Sequence, residues 1–494
     1  MSMAPLPGKF SRRRFLATTT ALGLTALSAS LAGCASTPAP APTTAPAKPA
    51  EAPKAAEAPK PTEAPKAAEA PKPTAAAAAA PKEAKAATIR YGTFWAGYRV
   101  EVIQPVLDEW TKTSKITVQI ESVPSDRYTE KTLTQVAGGN LWDVFLTESY
   151  LTPRLYDQKQ ALDLTSYAQA DGVDLKKDYG LMGVELWDGK VLAMPFILSP
   201  VAFYYNKTMF KKAGAKDPWD DLKGDLSWDD MLASSLKVSD QTKKPATYGL
   251  TFDYSDVHQR LSNIIYSFGG RTHDYETMKY TLTDPKTVEA VKYVYDLVYK
   301  HKVLIPLTET QQLGQTGIAN PFQAELCAVE LETTGRLTTN IDTIKDKFEW
   351  DIFPVPKGPG GERVTYVSGN PNNAYAKSKT PEEAWKTLQF LSGPVMQDVI
   401  SKKKLLMPAL TSAALSKDGF LKAPPAHIDS FIKAFDGKVA RRFYPLASRE
   451  CFDNIKKYLD MIFLNQMSVE DGLKAANDEA NALVKFTTKP TITA

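Results

Sequence analysis

From Thr88 to Trp95 apolar and polar positions alternate, as they do in a strand with one covered face, and the run ends at a loop that carries a glycine. Val100–Thr111 then places Val102, Ile103, Val106, Leu107 and Trp110 on one side of a helix. Alternation returns over Lys115–Val123, a helical stretch covers Tyr128–Ala137, and Asp143–Thr147 reads as an apolar strand. This β-α-β-α-β rhythm predicts an α/β fold with a largely parallel sheet flanked by helices. In such sheets ligands collect where strand ends, loops and helix N-termini converge, which points to Trp95–Arg99 and Thr147–Tyr150. Further along, Thr281–Pro285 opens a helix continued by Val288–Lys300, Pro381–Phe390 is a helix with proline in its first turn, and Val469–Val484 is another. The glycines of Lys357–Glu362 mark a turn between two strands, since no Lys-Ser/Thr helix follows them to hold a phosphate.

Before residue 87 this pattern disappears. Glu51–Thr62 reads EAPKAAEAPKPT and Glu63–Thr74 repeats it without change. The repeat has no branched aliphatic or aromatic residue, so nothing offsets the entropy of ordering it, and its prolines favour extended conformations. It is a spacer. Upstream, Arg12, Arg13 and Arg14 precede the mildly apolar run Leu16–Leu31, which is too short and too polar for a membrane span and suits a signal peptide. Ser11-Arg12-Arg13-Arg14-Phe15-Leu16 resembles a twin-arginine export motif, and Leu31-Ala32-Gly33-Cys34 resembles a bacterial lipobox. The expected organisation is therefore a signal peptide over 1–33, a lipid anchor at Cys34 with a disordered tether over 34–86, and a folded domain over 87–494. A tether of roughly fifty residues would reach on the order of 150 Å fully extended and about 40 Å as a flexible coil.

The formal charge of +4 over 494 residues loses Lys9, Arg12, Arg13 and Arg14 with the signal, leaving a nearly neutral chain with no electrostatic case for nucleic acid. Four scattered histidines and the absence of any Cys-x-x-Cys or His-Glu-x-x-His give no transition-metal site, and no cofactor is expected. Cys327 and Cys451 are numerous enough for one disulfide, but spacing does not say whether they meet. About 400 folded residues are too many for one core and imply two lobes.

Several segments resemble, in order, the extracellular solute-binding proteins of ABC importers, especially the carbohydrate-binding cluster. Gly138-Gly139-Asn140-Leu141-Trp142-Asp143-Val144-Phe145-Leu146 resembles that family's AGxxPDVF segment, with Trp142 in place of the usual proline. Trp187–Phe196 resembles YDGKLYGLPF, and Tyr204–Lys207 with Phe210–Gly214 resembles LYYNKDLFKKAG. Leu226–Met231 stands where PPKTWDEL is expected, while Lys379–Leu391 and Ser468–Ala476 resemble two late helices. The resemblance covers Thr88–Lys485. It implies a two-lobed periplasmic-binding-protein-like fold of type II, with crossings near Pro200–Phe203, Phe353–Pro356 and Lys404–Leu410. Lobe one would combine about 88–200 with 356–405, and lobe two about 204–352 with 408–494. The implied protein is a monomeric, non-enzymatic receptor on the outer side of the cell membrane, tied there through Cys34. It would close on a sugar or oligosaccharide and deliver it to an ABC permease.

Sugar recognition needs flat rings over C–H faces and paired hydrogen bonds to hydroxyls. Trp95, Tyr98 and Arg99 follow the first strand, and Glu148, Ser149 and Tyr150 follow the third. The resemblance adds Ser199 at the first crossing. It also adds Asp256 and His258 after the strand Tyr248–Phe252, and Gly369 and Asn370 after the strand Arg363–Val367. Glu332 and Arg336 stand where relatives carry GxW, and Arg449 and Phe452 match a late aromatic of the cleft. The pair Tyr204–Tyr205 reads as hinge packing. Arg99, Arg336 and Arg449 together would instead suit a phosphorylated or acidic polyol such as glycerol 3-phosphate. A surface glycan hydrolase would need two carboxylates at a fixed separation, and a structural lipoprotein would leave the cleft empty.

Overall fold

The computed structural model describes residues 86–182, 184–440, 443–487 and 490–493. The signal peptide, Cys34 and the tether lie outside the described residues.

Ten strands frame the two lobes: β1 (Ala87–Thr93), β2 (Ile116–Ser122), β3 (Val144–Leu146), β4 (Met194–Ser199), β5 (Val201–Asn206), β6 (Tyr248–Thr251), β7 (Cys327–Thr333), β8 (Trp350–Phe353), β9 (Ser368–Ala374) and β10 (Met407–Pro408). Lobe one holds a six-stranded sheet ordered β10-β4-β9-β3-β1-β2, and lobe two a four-stranded sheet ordered β8-β5-β7-β6. The helices Tyr98–Ser114 and Ser125–Ala137 connect β1, β2 and β3 as the sequence rhythm requires.

Within these two sheets, parallel pairing is confined to β1–β2, β1–β3 and β6–β7, where βα units build the sheet. The remaining pairs of these two sheets are antiparallel, so both are mixed rather than largely parallel. The cause is the crossing between lobes. β4 runs out of lobe one to Pro200, and β9 re-enters at Ser368, opposite Ser199, so it must run back against β4. β10 also belongs to the first sheet, pairing Met407 with Leu198 and Pro408 with Ile197, so lobe one extends beyond residue 405.

Chain alternation makes β5 a partition between two cores. Val201, Phe203 and Tyr205 pack with the helices of lobe two, whereas Ala202 and Tyr204 join the core that continues into lobe one. Tyr204 donates its hydroxyl to the Thr333 carbonyl at 2.8 Å, and Tyr205 donates to Asp217, so both are packing residues. On β1, Gly92 leaves room for the ring of Trp142; a Cβ there would lie 2.1 Å from the indole. That indole stacks on Tyr128 with centroids 5.5 Å apart, and the Tyr128 hydroxyl donates to the carbonyls of Gly92 and Leu146. Cys327 and Cys451 are buried and free, so they form no disulfide.

Candidate functional site

A cavity of about 390 Å³ opens between the lobes at the ends of β1, β3 and β4 and the start of β9, closed on the other side by the loop after β6 and the helix Ser448–Phe463. Of the residues singled out in the sequence, Arg99, Glu148, Tyr150, Ser199, Asp256, His258, Asn370, Arg449 and Phe452 line it.

Tyr150, on the short turn after β3, meets lobe two edge-on. Its ring lies 5.6 Å from Phe452 and 5.7 Å from His258, near 90° to both. Phe452 and His258 are themselves 4.5 Å apart, so one wall of the cavity is aromatic and built from both lobes. The polar wall is chiefly backbone-fixed. Asn370 donates to the Thr147 carbonyl at 3.3 Å, which holds its amide beside Glu148. Burial pushes the Glu148 carboxyl upward, opposed by Asn370 and Arg449. Burial likewise lowers the Arg99 guanidinium, whose one hydrogen bond among the described residues goes to the Gly335 carbonyl at 3.4 Å.

Three contacts join the two lobes across the cleft. Gln259 of lobe two donates one amide nitrogen to the Ser199 carbonyl at 3.1 Å and to the Ser368 hydroxyl at 2.6 Å, joining both crossing strands. Arg154 pairs with Glu450 at 2.8 Å at the rim. Arg99 reaches Gly335 as described.

Other expected site residues fall elsewhere. Trp95 is fully buried, 5.2 Å from Phe196 and covered by the Arg99 guanidinium 5.8 Å from its ring, so it lies behind the lining rather than in it. The period of two explains this: Trp95 shares the face of Ile89 and Tyr91, which the core covers, and the adjacent Phe94 lines the cavity instead. Tyr98 is half exposed and lies outside the lining. Ser149 is buried and donates to the Gly369 carbonyl at 2.6 Å, so this pair fastens β3's loop to β9 rather than facing the cavity. Glu332 and Arg336 line a second cavity in lobe two. There Arg260 bonds Asp256 at 2.6 Å and also bonds Glu332, while Arg336 lies 3.3 Å from Glu330 and 3.8 Å from Glu332. The three arginines of the acidic-solute reading therefore do not converge.

Phe94, Asp253, Gln259, Asp453 and Lys456 also line the cavity and were missed. Phe94 was legible from strand parity. Asp453 lies four residues beyond Arg449 and Lys456 four beyond Phe452 on the same helix, so helical spacing carried a signal for both. Gln259 had no such signal.

Two mixed sheets joined by chain crossings, with a cavity between them, define a two-lobed periplasmic-binding-protein-like fold. The chain belongs to the bacterial extracellular solute-binding protein family, whose family model matches residues 96–398. Among solved structures, it is similar to the ABC substrate-binding protein from Listeria monocytogenes in complex with cycloalternan, at TM-score 0.70 and 21% identity, covering 81% of this chain and 99% of that one. It is also similar to maltose-bound T. maritima MalE3, at TM-score 0.67 and 22% identity over 81% and 100% of the two chains. A probable ABC transporter-binding protein of Deinococcus radiodurans is 24% identical, over 74% of this chain and 85% of that protein. A binding protein of Brucella abortus is 25% identical over 56% of this chain, and the match spans 64% of that relative's own length. An arabinooligosaccharide-binding protein of Halalkalibacterium halodurans is 28% identical over 41% of this chain and 47% of that protein.

Proposed function

We propose that this protein is a lipid-anchored extracytoplasmic receptor that captures a neutral sugar or oligosaccharide by hinge closure and passes it to an ABC permease. The observation that carries the reading is the cavity wall itself: rings of Tyr150, Phe452 and His258 drawn from both lobes, facing the amide and carboxylate of Asn370 and Glu148. Such walls cover the C–H face of a pyranose while bonding its hydroxyls. Closure would bring the two halves together around the solute, so binding and the closed state favour each other.

The charge of the lining supports a neutral solute over an anionic one. Arg99, Arg449 and Lys456 are outnumbered by Glu148, Asp253, Asp256 and Asp453, and Arg449 is already engaged by Asp453 at 2.9 Å. The names of relatives that bind arabino-oligosaccharide, cycloalternan and maltose agree with this reading. Cys34 and the repeat that follows it supply the anchor and leash.

A thermal-shift panel of sugars, oligosaccharides and phosphorylated polyols tests the proposal. A saturating ligand at a hundred times its Kd stabilises the folded state by about 2.7 kcal/mol. A shift with one neutral series, without product on long incubation, is expected. Shifts confined to phosphorylated solutes would overturn the sugar assignment. In the same preparation, Cys34→Ala is expected to move the chain from the detergent phase to the aqueous phase; no change would remove the anchor.

A further inference from the structure

We infer that the second cavity, in lobe two, receives the distal units of the solute, so that the receptor selects chains longer than the cleft cavity alone can hold. This rests on the sugar reading above. The cleft cavity, at about 390 Å³, lies near the lower end of the roughly 300–1,000 Å³ typical of small-molecule sites. Beside it lies a cavity of about 670 Å³ at the C-terminal ends of the parallel pair β6 and β7. The general rule for α/β sheets places ligands at that end.

The two cavities share a wall. Asp253 and Lys456 line both. The Lys456 ammonium stands 3.9 Å from Asp253 on that wall and 3.1 Å from Asp460, which lines the second cavity alone. All three side chains are about half exposed, and exposed pairs of this kind are weak, so Lys456 can swing aside at little cost.

The second cavity offers what a polyhydroxyl chain needs. Thr310 and Gln311 present neutral hydroxyl and amide groups from the helix Leu307–Gln315, and Asn320 lines the floor with its amide held by Glu330 and the Gln323 N–H. Glu332 and Arg336 face the same space. Their charges are mutually compensated, which suits a neutral ligand rather than an ion. Glu330, only 5% exposed, also lines it, and one of its carboxylate oxygens has no hydrogen-bond partner among the described residues. A buried polar atom left open in this way is costly unless something fills it. Glu332 and Arg336 would thereby contact solute after all, at its far end rather than in the cleft.

Titration calorimetry on the full chain with maltodextrins and arabino-oligosaccharides of increasing length tests the inference. In the series that binds, Kd is expected to fall about tenfold or more between two and five units. Gln311 is exposed, so Gln311→Trp should fill the cavity without disturbing the fold. It is expected to cancel the gain from length while leaving the Kd for two units and the melting temperature unchanged. Thr310→Tyr narrows the same space from the preceding residue and repeats the test should the tryptophan destabilise the chain. A Kd independent of length, or a gain that survives both variants, overturns the second chamber and leaves the sugar receptor standing. No binding by any member of either series removes the sugar reading and this inference with it.

Discussion

In the cleft cavity Arg99 faces a single backbone carbonyl, whereas in lobe two Arg260 is divided between the carboxylates of Asp256 and Glu332. The carboxylates differ in the same way: Glu332 is held by Arg260 and lies 3.8 Å from Arg336, while Glu148 has no ion-pair partner within bonding distance among the described residues. The two regions use the same residue types for different ends. Charges already paired hold a scaffold together; charges buried with weak partners raise the free energy of the empty site and are released when a ligand supplies the missing bonds. Asp256 belongs to both regions, so the paired network also fixes one wall of the cleft.

The largest effect is expected from Arg260→Met. It would leave Asp256 and Glu332 buried without their common partner, and a loss of about 3–5 kcal/mol in chemical denaturation is expected. Arg99→Met strands no carboxylate and should cost less than about 1 kcal/mol of stability while weakening solute binding. Equal losses from the two variants would sink the distinction.

Glu330 sharpens it through pH. Burial lifts its carboxyl to about 7, against the pull of Arg336. The folded chain thus keeps a proton that the unfolded chain releases near the ordinary value of 4.5. Its contribution to stability is fully present below that value and is lost as pH rises through about 7. On the order of 3 kcal/mol should disappear across this window. Glu330→Gln should flatten that slope, and an unchanged pH profile of unfolding would place the proton elsewhere.

The smallest effect is expected at the boundary between the lobes. Gln259→Ala removes the bonds to Ser199 and Ser368, worth about 1 kcal/mol to the closed state. Faster solute release and a larger radius of gyration by small-angle scattering should accompany it, with the association rate unchanged. A slower association with unaltered release would mean that Gln259 shapes the open form instead.

Much of this architecture was legible because it follows from local periodicity. The strands near Thr88, Lys115 and Asp143 and the helices between them lie where their patterns place them. Trp95 has the chemistry of a sugar platform but the parity of Ile89 and Tyr91, and parity decides its place in the covered core. Strand direction was not legible at β9, because it depends on where the chain returns from the other lobe and not on any residue within the strand. Glu332 and Arg336 lie at the right end of the right sheet, yet they line the cavity next to the expected one. A sequence position fixes a strand end to within a residue or two. Which of two adjoining cavities a side chain enters depends on how the helices pack over it.

The contact between Gly92 and Trp142 makes two distant positions a single unit. An indole at 142 fits only because residue 92 has no side chain, and a Cβ there would meet a ring stacked on Tyr128. Neither position can therefore be altered on its own merits: room at 92 exists only as long as it is given to the ring, and any gain of volume on the strand must be matched by a loss of volume at 142.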